Sequence, residues 1–118
     1  MAHPQLRIKR VYEEPSKDDG KRILVDRLWP RGLTKEKAKV DLWLKDVAPS
    51  NELRKWFAHD PKKWPEFQRK YVEELEAQTA PLATLRHEAS QGPVTLLYGA
   101  RDEQHNEAVV LLDLLQGK

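Results

Sequence analysis

The chain has 118 residues, enough for one hydrophobic core and too few for two, so a single domain spanning residues 1–118 is expected. It contains no cysteine, which excludes disulfides, thiolate metal sites and a cysteine nucleophile; with no N-terminal apolar run of signal-peptide or membrane-span length, the expected address is cytoplasmic and no membrane partner is expected. The net charge of +2 is unevenly spread, with 14 Lys and Arg against 9 acids in residues 1–59 and 7 against 10 in residues 60–118. That asymmetry leaves room for a basic patch but falls short of a dedicated nucleic-acid binder.

Alternation over Leu6 to Tyr12 predicts a first strand near a sheet edge, because the intervening residues are charged. Pro15, Ser16 and the Asp18-Asp19-Gly20 run make the next stretch a loop, and Arg22 to Asp26 reads as a second strand. Arg10 and Arg22 read as ordinary surface or strand-edge residues. Thr34 can cap a helix carrying Val40, Trp43, Leu44 and Val47 at helical spacing, and Pro49 ends it. Ser50 or Asn51 can cap a short turn with Leu53, Trp56 and Phe57. Asp60-Pro61 then has the form of an N-cap and first helical residue for a helix running to about Glu76. Thr79-Ala80-Pro81 opens a further helix that stops at Gly92-Pro93. Val94 to Tyr98 is a continuous apolar run of strand length, suited to a central strand covered on both faces, and Asp102 can cap a last helix.

This order predicts an α/β fold, a small and largely parallel sheet of three or four strands covered by helices. About nine residues separate the first two strands, where a parallel crossover usually takes a dozen or more, so the direction of the first strand is left open. The long helical connection from Asp26 to Val94 allows those strands to be parallel neighbours. Asp26 to Arg31 and Tyr98 to Asn106 would then leave the sheet at one carboxyl edge, where open α/β sheets bind ligands.

Those two exits hold the candidate chemistry. Asp26, at the end of an apolar strand, is a candidate general base, metal ligand or orienting partner for an arginine, or else half of a structural pair with Arg27. Arg27 and Arg31 flank Leu28-Trp29-Pro30 and suit bidentate recognition of phosphate or carboxylate, with Trp29 as a stacking surface or as core. His59, between the aromatic pair Trp56-Phe57 and a helix start, is a candidate acid, base or ligand. Tyr98, Arg101, Asp102, His105 and Asn106 surround the start of the last helix, whose free N–H groups favour an anion. Asp26, His59, Asp102 and His105 supply metal-ligand types without a metal-ligand spacing, so no metal site is assigned. No P-loop, dinucleotide fingerprint or nucleophile elbow is present, and no cofactor is specified.

Residues Ile8 to Tyr12, Asp19-Gly20, Arg22 to Gly32, Asp41 to Asp46, Ala48 to Ser50, Leu53 to Phe57, His59 to Pro61, and Leu96 to Asp102 with His105-Asn106 resemble the YeaO-like members of the bacterial domain-of-unknown-function family 488. The resemblance covers nearly the whole chain. It marks Asp26, Arg27, Trp29, Pro30, Arg31, Gly32, His59, Asp60, Tyr98, Asp102, His105 and Asn106 as signature positions, and it brings no activity with it. Family members are sometimes labelled transcription regulators, but the element order here is not that of a winged helix. The leading expectation is a small protein that binds an anionic, phosphate- or carboxylate-bearing molecule such as a nucleotide, with hydrolysis as an extension. In that scheme Asp26, His59 and His105 exchange protons, while Arg27, Trp29, Arg31, Tyr98, Arg101, Asp102 and Asn106 hold the ligand. A nucleic-acid-binding or regulatory module and a metal-binding protein are the alternatives.

Overall fold

The computed structural model describes residues 6–117; the two ends of the expected domain, residues 1–5 and 118, lie outside the described residues. In chain order the elements are β1 (Leu6–Arg10), β2 (Lys21–Leu24), α1 (Lys35–Ala38), β3 (Leu42–Trp43), α2 (Asn51–Phe57), α3 (Trp64–Ala77), α4 (Thr79–Gln91), β4 (Val94–Tyr98) and α5 (Glu107–Leu115). The strands form one sheet in the order β1-β4-β2-β3, and every pairing is parallel. All five residues of β4 are buried, as expected of a strand paired on both edges and covered on both faces.

Alternation divides the side chains between two unequal layers. Ile23, Val25, Val94, Leu96 and Tyr98 join the large core with Phe57, Phe67, Tyr71, Leu85 and Leu111 from α2 to α5. On the opposite face Leu24 and Leu97 meet a smaller cluster with Val11, Ala38 and the partly buried Trp29, Leu33 and Trp43. That face is covered mainly by the loop after β2 and one helical turn.

The first crossover is parallel despite its brevity. About ten residues reach roughly 33 Å when extended, ample to return along a five-residue strand of about 17 Å. The return is held by a buried ion cluster. Ser16 caps a 3-10 turn over Lys17–Asp19, and the Asp19 carboxylate accepts from the Ser16 N–H at 3.0 Å, Lys9 Nζ at 3.2 Å and Arg22 Nη1 at 2.5 Å. Burial pushes the Asp19 carboxyl up, but the Ser16 N–H and the Lys9 and Arg22 cations outweigh it and hold it below its ordinary value. Thr95 Oγ1 donates to the Asp19 carbonyl at 2.8 Å, which ties the crossover across β4. Gly20 (φ 64°) then turns the chain so tightly that a Cβ there would lie 2.3 Å from the Pro93 carbonyl oxygen.

Arg22 is therefore a correction to the sequence reading. It is 4% exposed, and its guanidinium also donates to the Ala38 and Lys39 carbonyls. The helix expected over Thr34 to Val47 is a second correction. Thr34 caps it, but it ends after one turn at Lys39 (φ 48°), and Leu42–Trp43 pair with β2 as a strand. The open edge of β2 needs partners for its backbone, and Asp41 N–H to the Arg22 carbonyl and Leu44 N–H to the Leu24 carbonyl supply them, at 2.8 and 2.9 Å. Long-range pairing here overrides an apolar spacing that also fits a helix. Among the described residues no helix is long and apolar enough to cross a membrane.

Replacing Asp19 by alanine leaves the buried Arg22 guanidinium without its counter-ion. Asp19→Ala is expected to lower stability by about 3–5 kcal/mol in a urea unfolding titration, whereas Asp18→Ala, at an exposed neighbour, should change it by less than about 0.5 kcal/mol.

Candidate functional site

Because β2 and β4 are parallel neighbours, the segments after them leave at the same end of the sheet and then diverge, one toward β3 and the other toward α5. Such a divergence opens a crevice at the carboxyl edge. A cavity of about 230 Å³ occupies it, lined by Asp26, Arg27 and Leu28 after β2, Ala48 and Pro49 before α2, Arg54, Phe57 and His59 from α2 and its exit, Phe67 of α3, Gly99 and Ala100 after β4, and His105, Asn106 and Glu107 at the start of α5.

One wall is acidic. The Gly99 N–H donates to Asp26 Oδ2 at 2.8 Å, and a Cβ at residue 99 would stand 3.0 Å from that oxygen, so glycine lets the carboxylate seat directly on the backbone. The indole of Trp43 holds the Asp26 carbonyl at 2.7 Å. Glu107, the first residue of α5, shares a hydrogen bond with Asp26. Burial, then that hydrogen bond and the Asp26 charge, push the Glu107 carboxyl well above its ordinary value, against the pull of its own backbone N–H and of Arg54. Below the pair lies the buried Tyr71, whose hydroxyl donates to the Val47 carbonyl and whose ionisation is strongly suppressed by burial.

The other walls carry arginine and histidine side chains. Arg27 donates to the Pro49 and Ala48 carbonyls, both at 3.3 Å, which fixes the loop entering α2. Ser50 caps α2 through the Leu53 N–H, and Glu74 holds the Ser50 hydroxyl at 2.6 Å. The exposed Arg54 reaches Asn51 Oδ1 at 3.2 Å. His59 stands at φ 58° directly after Ala58 at φ 48°; two consecutive left-handed residues carry the chain from α2 into the turn capped by Asp60 and place the imidazole beside Phe57, ring centroids 6.3 Å apart. His105 Nδ1 contacts Asp102 Oδ2 at 2.8 Å and its ring meets Trp64 edge-on at 5.2 Å. Nδ1 is engaged, so Nε2 is the ring nitrogen left for a ligand.

Asp26, Arg27, His59, His105 and Asn106 are therefore brought together around one cavity, whereas Trp29, Arg31, Tyr98, Arg101 and Asp102 do not line it. The Trp29 indole donates to the Leu33 carbonyl at 2.7 Å and packs edge-on against Trp43 at 5.4 Å. Arg31 is exposed and its carbonyl accepts from Tyr12 at 3.0 Å; Arg101 is also exposed. Tyr98 is buried in the core, and burial, reinforced by Glu103 and Glu13, pushes its hydroxyl up to about 12. Asp102 caps a turn, not the last helix: it takes the Gln104 and His105 N–H groups at 2.9 and 3.1 Å, which hold its carboxyl low together with His105. The helix starts five residues later, at Glu107, capped by Asn106 on the Val109 N–H. His105 and Asn106 consequently precede α5, whose first residue is the acidic Glu107.

Glu107 and Arg54 escaped the sequence reading. An acid in a first helical turn is ordinarily a partner for the helix dipole, and an arginine in Leu53-Arg54-Lys55-Trp56-Phe57 reads as a solvated face. Only the meeting of α2 and α5 with the end of β2 makes them unusual. Among the described residues, no group of three or more His, Asp or Glu side chains could hold a metal ion.

The raised Glu107 carboxyl carries a pH dependence. The folded state keeps a proton that the unfolded chain releases above the ordinary value of 4.5, so this contribution to stability is full below pH 4.5 and is lost as pH rises through the raised value. Asp26, Arg27, Arg54 and His105 are the charged or titratable groups around it, with the Tyr71 phenol beneath. Glu107→Gln, which keeps a donor for Asp26, is expected to melt with the wild type at pH 4.5 and at least about 4 °C above it at pH 8, the effect of roughly 1 kcal/mol in a domain of this size.

The chain matches the family model described as "Inactive DUF488-N3 subclade" over residues 5–118. It is 45% identical over 114 residues to the uncharacterized protein Rv3073c of Mycobacterium tuberculosis, covering 97% of this chain and 96% of that one. It is 41% identical over 111 residues to the uncharacterized protein YeaO of Escherichia coli, covering 94% and 96%. No solved structure matches it. The match over nearly the whole length, to the family model and to these relatives alike, makes the chain a member of the DUF488 family, within the subclade described as inactive.

Proposed function

We propose that the protein binds a small anionic molecule at the carboxyl edge of its sheet, in the cytoplasm, without turning it over. The observation that carries this reading is the convergence of two guanidinium and two imidazole side chains, Arg27, Arg54, His59 and His105, from three separate segments onto one cavity. Arginine suits phosphate and carboxylate by fork geometry. At about 230 Å³ the cavity lies below the ~300–1,000 Å³ usual for drug-sized ligands, which favours a compact metabolite over a dinucleotide. The anion belongs on the arginine and histidine side, since Glu107 occupies the α5 N-terminus. Binding without hydrolysis accords with the description of the matched subclade as inactive.

Arg54 is the sharpest probe, because it is exposed and its loss should cost less than about 0.5 kcal/mol of stability. Titrations with inorganic phosphate, small carboxylates and mononucleotides, followed by calorimetry, should find a ligand whose affinity falls roughly 10-fold or more in Arg54→Ala, the effect of one charge-assisted hydrogen bond. Arg31→Ala, outside the cavity, should bind as the wild type does. Equal affinity in Arg54→Ala, or no binding by any anion, overturns the reading.

A further inference from the structure

An anion site does not need an acidic wall, and a carboxyl pair beside the arginines works against a simple anion. We propose that Asp26 and Glu107 form a ligand-reading element that selects, among small anions, those that also carry a hydroxyl or ammonium group. The inference rests on the anion-binding reading above and names the ligand class of the same cavity.

The argument is one of unmatched hydrogen-bonding capacity. A carboxylate offers about four lone-pair sites. On Asp26 one is taken by the Gly99 N–H at 2.8 Å and another by Glu107, and both residues line the cavity. One hydrogen bond between the two carboxyl groups leaves acceptor capacity on both side chains at the cavity wall. The cationic side has the opposite surplus. Arg27 spends two donors on the Ala48 and Pro49 carbonyls and Arg54 spends one on Asn51, of the five that each guanidinium owns. A bound molecule that presents acceptors to Arg27 and Arg54 and a donor to Asp26 and Glu107 satisfies both surpluses. An anion without a donor leaves the remaining acceptors of the carboxyl pair desolvated with no donor to replace water, and a site built to receive a ligand donor rejects the analogue that lacks it. The pair is also preorganised: Gly99 and the Trp43 indole fix Asp26 from the backbone side, and the first turn of α5 fixes Glu107.

The test uses matched probes on the full chain, compared by calorimetric titration at pH 7: propionate, lactate and alanine; succinate, malate and aspartate; ethyl phosphate and phosphoethanolamine. In at least one set the wild type should bind the donor-bearing member roughly 10- to 100-fold tighter than its plain counterpart, the range for one hydrogen bond to a charged group. Asp26→Asn replaces the free acceptor by an amide donor while its carbonyl oxygen can still take the Gly99 N–H, and should collapse that ratio to within about 3-fold. Arg54→Ala should weaken both members together and keep the ratio. If anions bind the wild type with no preference for the donor-bearing member, or if Asp26→Asn keeps the preference, the ligand-reading role fails while the anion site stands. If no anion binds, the anion site fails first. The wild-type ratios decide the matter even if Asp26→Asn does not fold.

Discussion

The parallel pairing of β4 with both β1 and β2 is the constraint on which the rest of this molecule depends. Its five buried residues contribute side chains to both cores, and its two ladders bring the ends of strands that are distant in sequence to a common edge. Asp26 and Gly99 are 73 residues apart along the chain, yet one donates directly to the other's carboxylate. That contact exists only because β2 and β4 run in the same direction and in register from Lys21 opposite Val94 to Leu24 opposite Leu97.

The two faces of the sheet are stabilised by different physics. Toward α2 to α5 the strands bury aliphatic and aromatic side chains, each worth roughly 1.5–3 kcal/mol, and Phe57, Trp64, Phe67 and Tyr71 continue that core in a run of ring contacts that ends beside His59 and His105. The aromatic run thereby fixes one wall of the cavity. On the other face a tight crossover must pass over β4, and Lys9, Asp19, Arg22 and Thr95 occupy that space with a fully bonded polar cluster. Such a cluster gains little net free energy over apolar packing, but a single missing partner is costly. It secures the direction of β1, and with it the pairing of β4.

Much of this was legible from residue pattern. The burial of Val94 to Tyr98, the caps at Thr34, Ser50 and Asp60, and the break at Gly92-Pro93 depend on local spacing and on side chains that bond their own backbone within three residues, which a linear reading can find. The convergence of Asp26 and Arg27 with His105 and Asn106 was legible too, once the two strands were taken as parallel neighbours. The readings that failed share a cause. Val40 to Val47 has a helical stripe, but β2 offered an unpaired edge; Arg22 has the look of a strand-edge cation, but Asp19 lies beneath the crossover; Trp29 has the look of a ligand platform, but Leu33 and Trp43 were there to receive it.

The sequence alone therefore determined the α/β class, the central strand, the helix boundaries that carry their own caps, and five of the side chains at the cavity. Tertiary structure decided the strand order, the direction of β1, the end of the first helix at one turn, and the entry of Arg54 and Glu107 into the site. The division follows the range of the interactions. Periodicity and capping are written in neighbours a few residues apart, whereas the raised Glu107 carboxyl depends on burial and on a carboxylate 81 positions away in the chain. No local pattern encodes that distance.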